Sequence, residues 1–358
     1  MALKYNIPEK LYKMNHESKI VVITPVRNGD WILDKYLFAT SLWANKIIIG
    51  LDKCTDNSRA ICEKYDKVEI VEINSLDTNI KLQNNRRQIL LETARKICKN
   101  NIIIALDVDE IFSAEILDSD IMSKIKCLKT GEVLNVKFRE LWFSPYLYRS
   151  EKRSNWSNRL MPCIWKDDGT DYPVSDWHEA RCPLKGKQII DLNLLHFARV
   201  VPLLYYSRIR HYILRDAIEN NHNVWITNYI YSSVRNEKNM RLSAVPIDWY
   251  APYIQKDINF FVFKDSLNNW YNHEIINILR ENIYNENIYK CDIWDVNWDS
   301  IPDILELPKL KFDEKKINKY KIIRNYIRKN YKLPSYRIEF YRLILSRFFY
   351  LLRNYMRK

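Results

Sequence analysis

Three carboxylates close the stretch ALDVDEIF: Asp107, Asp109 and Glu110 follow directly on the apolar run at residues 102–106. Desolvating a carboxylate without a partner is costly. Acids at the end of a buried strand therefore stand in water or are met by positive charge. In an extended strand, side chains repeat every two residues, so Asp107 and Asp109 would point the same way. Two oxygen ligands facing a crevice suit a hard divalent cation, Mg²⁺ or Mn²⁺, which keeps waters and takes further ligands from a diphosphate. A lone D-x-D is common by chance and reads first as a hydrated acidic loop. What turns the reading toward a site is its place, at the C-terminal end of the fourth strand of a β-α-β series.

That series must position the acids. KIVVITPV (19–26) is a β-rich run closed by the turn RNGD, with Asp30 as the expected N-cap of an amphipathic helix over 31–43. KIIIGLD (46–52) is a second buried strand, 56–65 a capped helix, and 67–73 an alternating strand nearer a sheet edge. A long helix spans 81–99, and NIIIALDV (101–108) is the fourth strand. Strands alternating with helices predict a mostly parallel sheet flanked by helices, and ligands bind such sheets at the C-terminal ends of their strands. Beyond Gly131 come longer strand-like segments, GEVLNVKFRELWF, RLMPCIW and the run from Gln188. From about Pro202 the chain reads as helical and rich in Tyr and Trp, and 293–308 as a linker or docking segment.

With these pieces in order, the chain resembles a family-2-type glycosyltransferase of the GT-A fold. The resemblance rests on VVITPVRNGDWI for the first strand and its turn, GLDKCTDNS (50–58) for the usual D-x-x-S-T-D-x-T, and NNRRQILLETA for the helix before the metal strand. ALDVDEIF matches the D-x-D-E strand, while DWHEA (176–180) and LLHF (194–197) resemble the later V-H-E and i-x-H elements. It covers residues 19–200 and implies a Rossmann-like α/β fold, here with a mainly helical C-terminal extension.

The resemblance also implies roles. Asp52 would accept a hydrogen bond from the nucleotide base, with Pro25 and Arg27 shaping the wall of that pocket. Arg87 would lie near the donor, with Arg86 as the competing candidate. Asp107 would face the ribose or the metal, Asp109 would hold the metal, and His196 would be a late metal or diphosphate contact. Glu179 would be the general base, with Asp176 as its rival. Lys53 and Cys54 stand where the family commonly has an acid and a serine, and Arg27 where many members carry a base-stacking aromatic. The chemistry needs the same groups. Displacing a nucleoside diphosphate from an anomeric carbon builds negative charge that a cation stabilises, while a carboxylate on the opposite face takes the acceptor's proton.

Other residues are weighed against plainer roles. His178 could form a structural pair with Glu179, and His211 and His222 read as ordinary helical histidines. Trp142, Trp156, Trp165 and Trp177 could line a sugar platform, but in an aromatic-rich fold they read first as core. The seven cysteines show no C-x-x-C spacing, so neither a zinc knuckle nor a redox motif is indicated, and free thiols in a reducing compartment are expected. Neither a secretory signal nor a spanning run of about 18 apolar residues is recognisable.

Charge singles out the C-terminus. The net +13 resides in residues 309–358, with 16 Lys/Arg against three acids; the first 308 residues carry 41 of each sign. On a helical wheel, 336–358 sets a basic side against a broad aromatic-aliphatic face, which reads as an interfacial helix on an anionic membrane surface. A helix docked on the protein's own core is the plain alternative, and nucleic-acid binding ranks third because no recognised motif accompanies the charge.

The expected organisation is an N-terminal arm (1–18), a nucleotide-sugar-binding catalytic domain (19–200), a helical aromatic-rich acceptor-side region (201–308) and basic amphipathic helices (309–358). The expected function is metal-dependent, inverting transfer from a nucleotide-sugar donor, taken as a UDP-sugar, to a glycan or lipid-linked acceptor in cell-surface polysaccharide synthesis. The expected place is cytoplasmic, peripheral on the inner face of the membrane. Two rivals remain: a nucleotidyltransferase of related architecture, against which the single Gly29 after the first strand speaks, and a non-catalytic basic protein binding nucleic acid or a partner.

Overall fold

The structure, a computed structural model, describes residues 18–73, 83–97, 101–151, 157, 159–173, 180–218, 223–232, 240–298, 301 and 311–330. Along the chain run β1 (Ile20–Val26), α1 (Asp30–Ser41), β2 (Lys46–Leu51), α2 (Ser58–Cys62), β3 (Val68–Glu72), α3 (Gln83–Ile97), β4 (Ile102–Ala105) and β5 (Glu110–Phe112). They are followed by α4 (Ser119–Lys126), β6 (Val133–Glu140), β7 (Leu147–Arg149), β8 (Leu160–Lys166) and β9 (Gln188–His196). Next come α5 (Pro202–Ile218), α6 (Val224–Ser232), β10 (Leu242–Ala244), α7 (Ala251–Ile254), α8 (Trp270–Glu281), α9 (Glu286–Lys290) and α10 (Glu314–Asn330).

Eight strands form one sheet in the order β3-β2-β1-β4-β8-β6-β9-β5. The pairs β3/β2, β2/β1, β1/β4 and β6/β9 are parallel, while β4/β8, β8/β6 and β9/β5 are antiparallel. The expected α/β class, a mostly parallel sheet flanked by helices with a mainly helical C-terminal part, is what forms. The reason lies in the near-continuous apolar runs of β1, β2 and β4, which are buried on both faces. Ile20, Val22, Ile47, Ile49, Ile102 and Ile104 pack on one face with Leu33, Tyr36 and Leu37 of α1. Their alternates Val21, Ile23, Ile48 and Ile103 pack on the other with Leu90, Leu91 and Ala94 of α3. Close approach of α3 needs Gly50, where an added Cβ would collide with Ile73 and come within 2.9 Å of Leu90.

Two expectations are corrected here. The fourth strand does not carry Asp107 and Asp109, because β4 ends at Ala105. Residues 106–109 are instead a turn, closed by the Glu110 amide on the Asp107 carbonyl (3.0 Å) and by the Asp107 amide on the Glu110 carboxylate (2.9 Å). The turn throws β5 across to pair with β9, at the far end of the hydrogen-bonded order. At roughly 4.8 Å per strand, four flat steps would cover ~19 Å. Five extended residues span at most ~18 Å, so the sheet must curl to bring β5 round. The two aspartates are therefore not aligned by strand periodicity. The second correction concerns α1, whose N-cap is Gly29 rather than Asp30.

The chain divides into two compact units, Met1–Val200 with Arg241–Lys264, and Val201–Met240 with Asp265–Lys358. Residues 241–264 thus return to the sheet-bearing unit: β10 pairs with β7, and Tyr253 donates from its hydroxyl to the Phe112 carbonyl (3.1 Å). In the second unit α5 packs against α8, and Arg210 of α5 forms a two-pronged pair with Asp295 (2.9 and 2.8 Å). Tyr320 and Arg324 of α10 face inward, Arg324 donating to the Tyr289 carbonyl (3.0 Å). No helix among the described residues is long and apolar enough to cross a membrane. The six described cysteines are free.

Candidate active site

The parallel strands β2, β1 and β4 are neighbours, so the residues following each lie along one carboxyl edge of the sheet. Pro25, the residue before the last of β1, lies opposite Gly50 of β2, with Arg27 just beyond the strand. Two loops then lock together. The Asn28 side-chain oxygen accepts from the Thr55 amide (2.7 Å), and Cys54 takes the Asn28 amide on its sulfur (3.3 Å) while donating to the Val26 carbonyl (3.4 Å). The Gly29 amide donates to Ser58 Oγ (3.0 Å) and the Asp30 amide to Asp56 (2.9 Å). Most of KCTDNS is thus spent capping α1. The Cys54 thiol thus both donates and accepts within the latch. Asn28 and Lys53 adopt left-handed backbone (φ 52° and 49°) at the ends of this latch, a conformation that non-glycine residues take when their surroundings hold them there.

The adjacent arginines of α3 diverge. Arg86 donates to Asp52 Oδ2 (2.7 Å) beside β2, and Asp52 is nearly buried. Arg87 is wholly buried and donates to Asp107 Oδ1 (2.6 Å). Helix α3 is fixed at its other end by Arg95, which forks onto Asp167 (2.9 and 3.0 Å).

Positive charge does come to meet the acids of the turn, and much of it belongs to the protein. Arg181 donates to Asp107 Oδ2 and to Glu110 Oε1 (2.9 Å), so Asp107 has an arginine on each oxygen. Burial alone would raise the Asp107 carboxyl, but Arg181 and Arg87 hold it below the usual range. Burial raises Glu110, with Arg181 acting against it and Asp107 adding to it.

Asp109 turns the other way. β5 aligns Glu110 with His196 of β9, and the Phe197 amide bonds the Asp109 carbonyl (2.7 Å). This places Asp109 Oδ2 3.7 Å from His196 Nε2. His196 Nδ1 meets Glu140 Oε2 (3.0 Å) at the end of β6, the strand that pairs with β9 in parallel, and Glu140 Oε1 accepts from Arg199 Nε (2.9 Å). The Arg199 guanidinium lies 4.3 Å from the centre of the Trp142 ring, which Arg149 also approaches, at 4.6 Å. Burial lowers the histidine, but Glu140 and Asp109 outweigh it and bring His196 up to about 9. Burial would raise Glu140, yet His196 and Arg199 hold it down to about 2.

The structure thus brings together two sets of the residues singled out in the sequence: Asp52 with Arg86, and Asp107 with Arg87, the latter next to Asp109 and His196. Asp176, His178 and Glu179 lie outside the described residues, as do Trp156, Trp177 and His222. Trp142 and Trp165 are core residues. Sequence reasoning missed Arg181, Glu140 and Arg199. Arg181 directly follows the HEA motif, and Arg199 stands three residues after His196, but nothing in the local sequence joins Glu140 to His196. Among the described residues, no group of three or more His, Cys, Asp or Glu is arranged to hold a metal ion. The pair Asp109 and His196 offers one carboxylate and one imidazole to a shared space. With His196 brought up to about 9 the two meet as carboxylate and imidazolium, so a divalent ion held there would displace the Nε2 proton and draw its remaining ligands from water or a diphosphate.

No family model matches the sequence, and no curated protein matches it. Solved structures similar to it include a mycobacterial protein, with 10% identity and TM-score 0.27 over 34% of this chain and 42% of that one. Another is 4-diphosphocytidyl-2C-methyl-D-erythritol synthase, with 14% identity and TM-score 0.29 over 42% of this chain and 75% of that one. A third is HddC from Yersinia pseudotuberculosis, with 11% identity and TM-score 0.32 over 53% of this chain and 97% of that one. The chain spans less than half the length of the mycobacterial protein it matches.

Proposed function

We propose that this chain is a metal-dependent, inverting glycosyltransferase of the GT-A type. It would use a nucleoside-diphosphate sugar, taken as a UDP-sugar, and a glycan or lipid-linked acceptor. The observation that carries the reading is the meeting of Asp109 and His196, 87 positions apart in the chain, within 3.7 Å at the carboxyl edge of the sheet. A Mn²⁺ or Mg²⁺ ion held there would stabilise the charge that develops on the departing diphosphate. Asp52 and Arg86 lie beside the end of β2, where they can take up the base. Arg87 and Arg181 fix Asp107, and with it the turn that presents Asp109. In the transfer step the acceptor oxygen bonds to the anomeric carbon as the bond from that carbon to the diphosphate oxygen breaks. The diphosphate leaves with the electron pair, and the acceptor's proton goes to Glu179 or Asp176.

The β1–α1 loop favours this reading over the nucleotidyltransferase rival. The amides of Asn28, Gly29 and Asp30, which a phosphate-binding loop would offer to its ligand, already donate to Cys54, Ser58 and Asp56. The basic C-terminus accounts for the acceptor side, holding the enzyme on an anionic membrane surface at the cytoplasmic face where a lipid-linked acceptor would be met. The test is calorimetric titration of UDP with and without Mn²⁺ on the natural protein and on Asp109→Ala. Binding that needs Mn²⁺ and vanishes in the variant is expected. A panel of nucleotides that all fail to bind would refute the reading.

A further inference from the structure

Arg86, Arg87, Arg181 and Arg199 are each engaged with a carboxylate: Asp52, Asp107, Asp107 together with Glu110, and Glu140. Arg159 differs. It stands exposed just before β8, and among the described residues its guanidinium meets no carboxylate but lies over the Phe138 ring, 5.5 Å from the ring centre. Phe138 lies in turn against His196, with ring centres 4.9 Å apart. Residues two apart on a strand share a face, so Phe138 and Glu140 of β6 stand on one face, and both meet His196. Arg159 is therefore on the side of the sheet that bears His196.

The strand order says which part of a nucleotide would reach it. β8 runs antiparallel to β4, with Ile104 opposite Ile164 and Ile102 opposite Lys166, so the start of β8 lies at the carboxyl edge of the parallel strands. Asp52 and Arg86 lie at that edge beside β2, and β1 and β4 separate β2 from β8. A donor whose base sits at β2 and whose diphosphate extends along the edge arrives at Arg159 by its distal phosphate. That phosphate takes the electron pair when its bond to the anomeric carbon breaks, and a donor fixed beside developing charge favours the transition state. The guanidinium fork matches phosphate oxygens, and an aromatic ring beneath it holds its plane. We propose that Arg159 is a donor-binding residue that holds the distal phosphate of the nucleoside diphosphate. This rests on the glycosyltransferase reading above and adds to it a contact made by the protein itself, without passing through an ion.

Arg159→Gln removes the charge from an exposed position, so the fold should stand, with an unchanged unfolding midpoint as the check. Calorimetric titrations with Mn²⁺ present compare UDP with UMP, which lacks the distal phosphate. UDP affinity is expected to fall about tenfold in Arg159→Gln, as for one lost hydrogen bond to a charged group, while UMP affinity is unchanged. Arg159→Lys keeps the charge without the fork and should retain part of the UDP affinity. The proposal is overturned if UDP binds Arg159→Gln as tightly as the natural protein. It is overturned too if UDP and UMP weaken alike, which would mark a residue that shapes the fold or meets the nucleoside. Inorganic pyrophosphate repeats the comparison without a base. Uptake of pyrophosphate that depends on Arg159, by a protein that binds no uridine nucleotide, would keep the phosphate contact and remove the UDP donor. Uptake of neither would overturn both.

Discussion

Replacing Arg181 by Met keeps most of the side-chain volume and removes the charge that Glu110 and Asp107 share. The two acids do not suffer equally. Asp107 keeps Arg87 at 2.6 Å and leaves a third of its side chain exposed (34%), so solvent screening makes its loss small. Glu110 is 1% exposed and gives its other oxygen to the Asp107 amide, so it would keep a buried negative charge without its cation. Breaking a buried pair from one side costs about 3–5 kcal/mol, and that is the loss expected in urea unfolding at pH 8. The pH dependence has a definite sign. Glu110 is raised above its ordinary 4.5 even with Arg181 present, so the folded chain binds a proton that the unfolded chain has released, and stability falls as pH rises through that window. Without Arg181 the window widens upward, and the deficit should be smaller at pH 5.5 than at pH 8. Adding Glu110→Gln to the variant removes the stranded charge while keeping an acceptor for the Asp107 amide, and should recover at least half of the loss. A cost under about 1 kcal/mol at pH 8 would refute the reasoning. So would a double variant no more stable than Arg181→Met alone.

Gly50→Ala should destabilise by about 1–3 kcal/mol through overpacking, since its Cβ meets Ile73 and Leu90 between sheet and helix. A shift in unfolding midpoint equivalent to less than about 0.5 kcal/mol would mean α3 does not pack as closely as described. On α10, Lys315, Lys319, Ile322 and Tyr326 recur at helical spacing on an exposed stripe, Ile322 being 71% and Tyr326 59% exposed. The full chain should sediment with vesicles rich in phosphatidylglycerol and not with neutral ones. Lys315→Glu with Lys319→Glu should weaken that partition by at least thirty-fold, taking roughly 1 kcal/mol per basic residue lost. Equal binding to neutral vesicles, or tighter binding to duplex nucleic acid, would remove the membrane surface as partner.

The elements read from sequence are those whose cause is local. β1, β2 and β4 announce themselves because burial on both faces leaves runs such as IVVI and IIIA without polar interruption. α3 shows its apolar side at helical spacing, with Leu90, Leu91 and Ala94 inward. Asp52 and Asp107 stood out as candidates because each follows closely on a buried strand, but the arginines that meet them, Arg86, Arg87 and Arg181, come from elsewhere in the chain. What local pattern does not encode is register. Glu140 and His196 are 56 residues apart and meet because β6 and β9 pair in parallel. The return of 241–264 to the first unit depends on contacts such as Tyr253 with Phe112, which no periodicity displays. The end of β4 was misjudged for a related reason. Val108 continues the β-rich composition, but the hydrogen bonds that close the turn come from Glu110 beyond it.

The three acids that ended the apolar run have different fates, and the difference bears on how the site works. A carboxylate with an arginine on each oxygen is an anchor, because drawing it toward a cation would break two charge-assisted pairs at once. That describes Asp107. Glu110 closes the turn and shares one of the same arginines, so it too belongs to the frame. Asp109 is held through its backbone carbonyl by the Phe197 amide while its side chain faces His196. The frame is fixed mainly by charge-assisted hydrogen bonds, which are short and directional, and it presents the Asp109 carboxylate beside His196. Strengthening or weakening the frame should therefore change how tightly a cation is held at Asp109 without changing which residues hold it. Arg87→Lys, which leaves Asp107 charged but loosely seated, should reduce Mn²⁺ affinity while preserving its dependence on Asp109. If Arg87→Lys instead made Asp107→Asn and Asp109→Asn equally damaging to Mn²⁺ binding, Asp107 would have to be counted as a ligand and not as part of the frame.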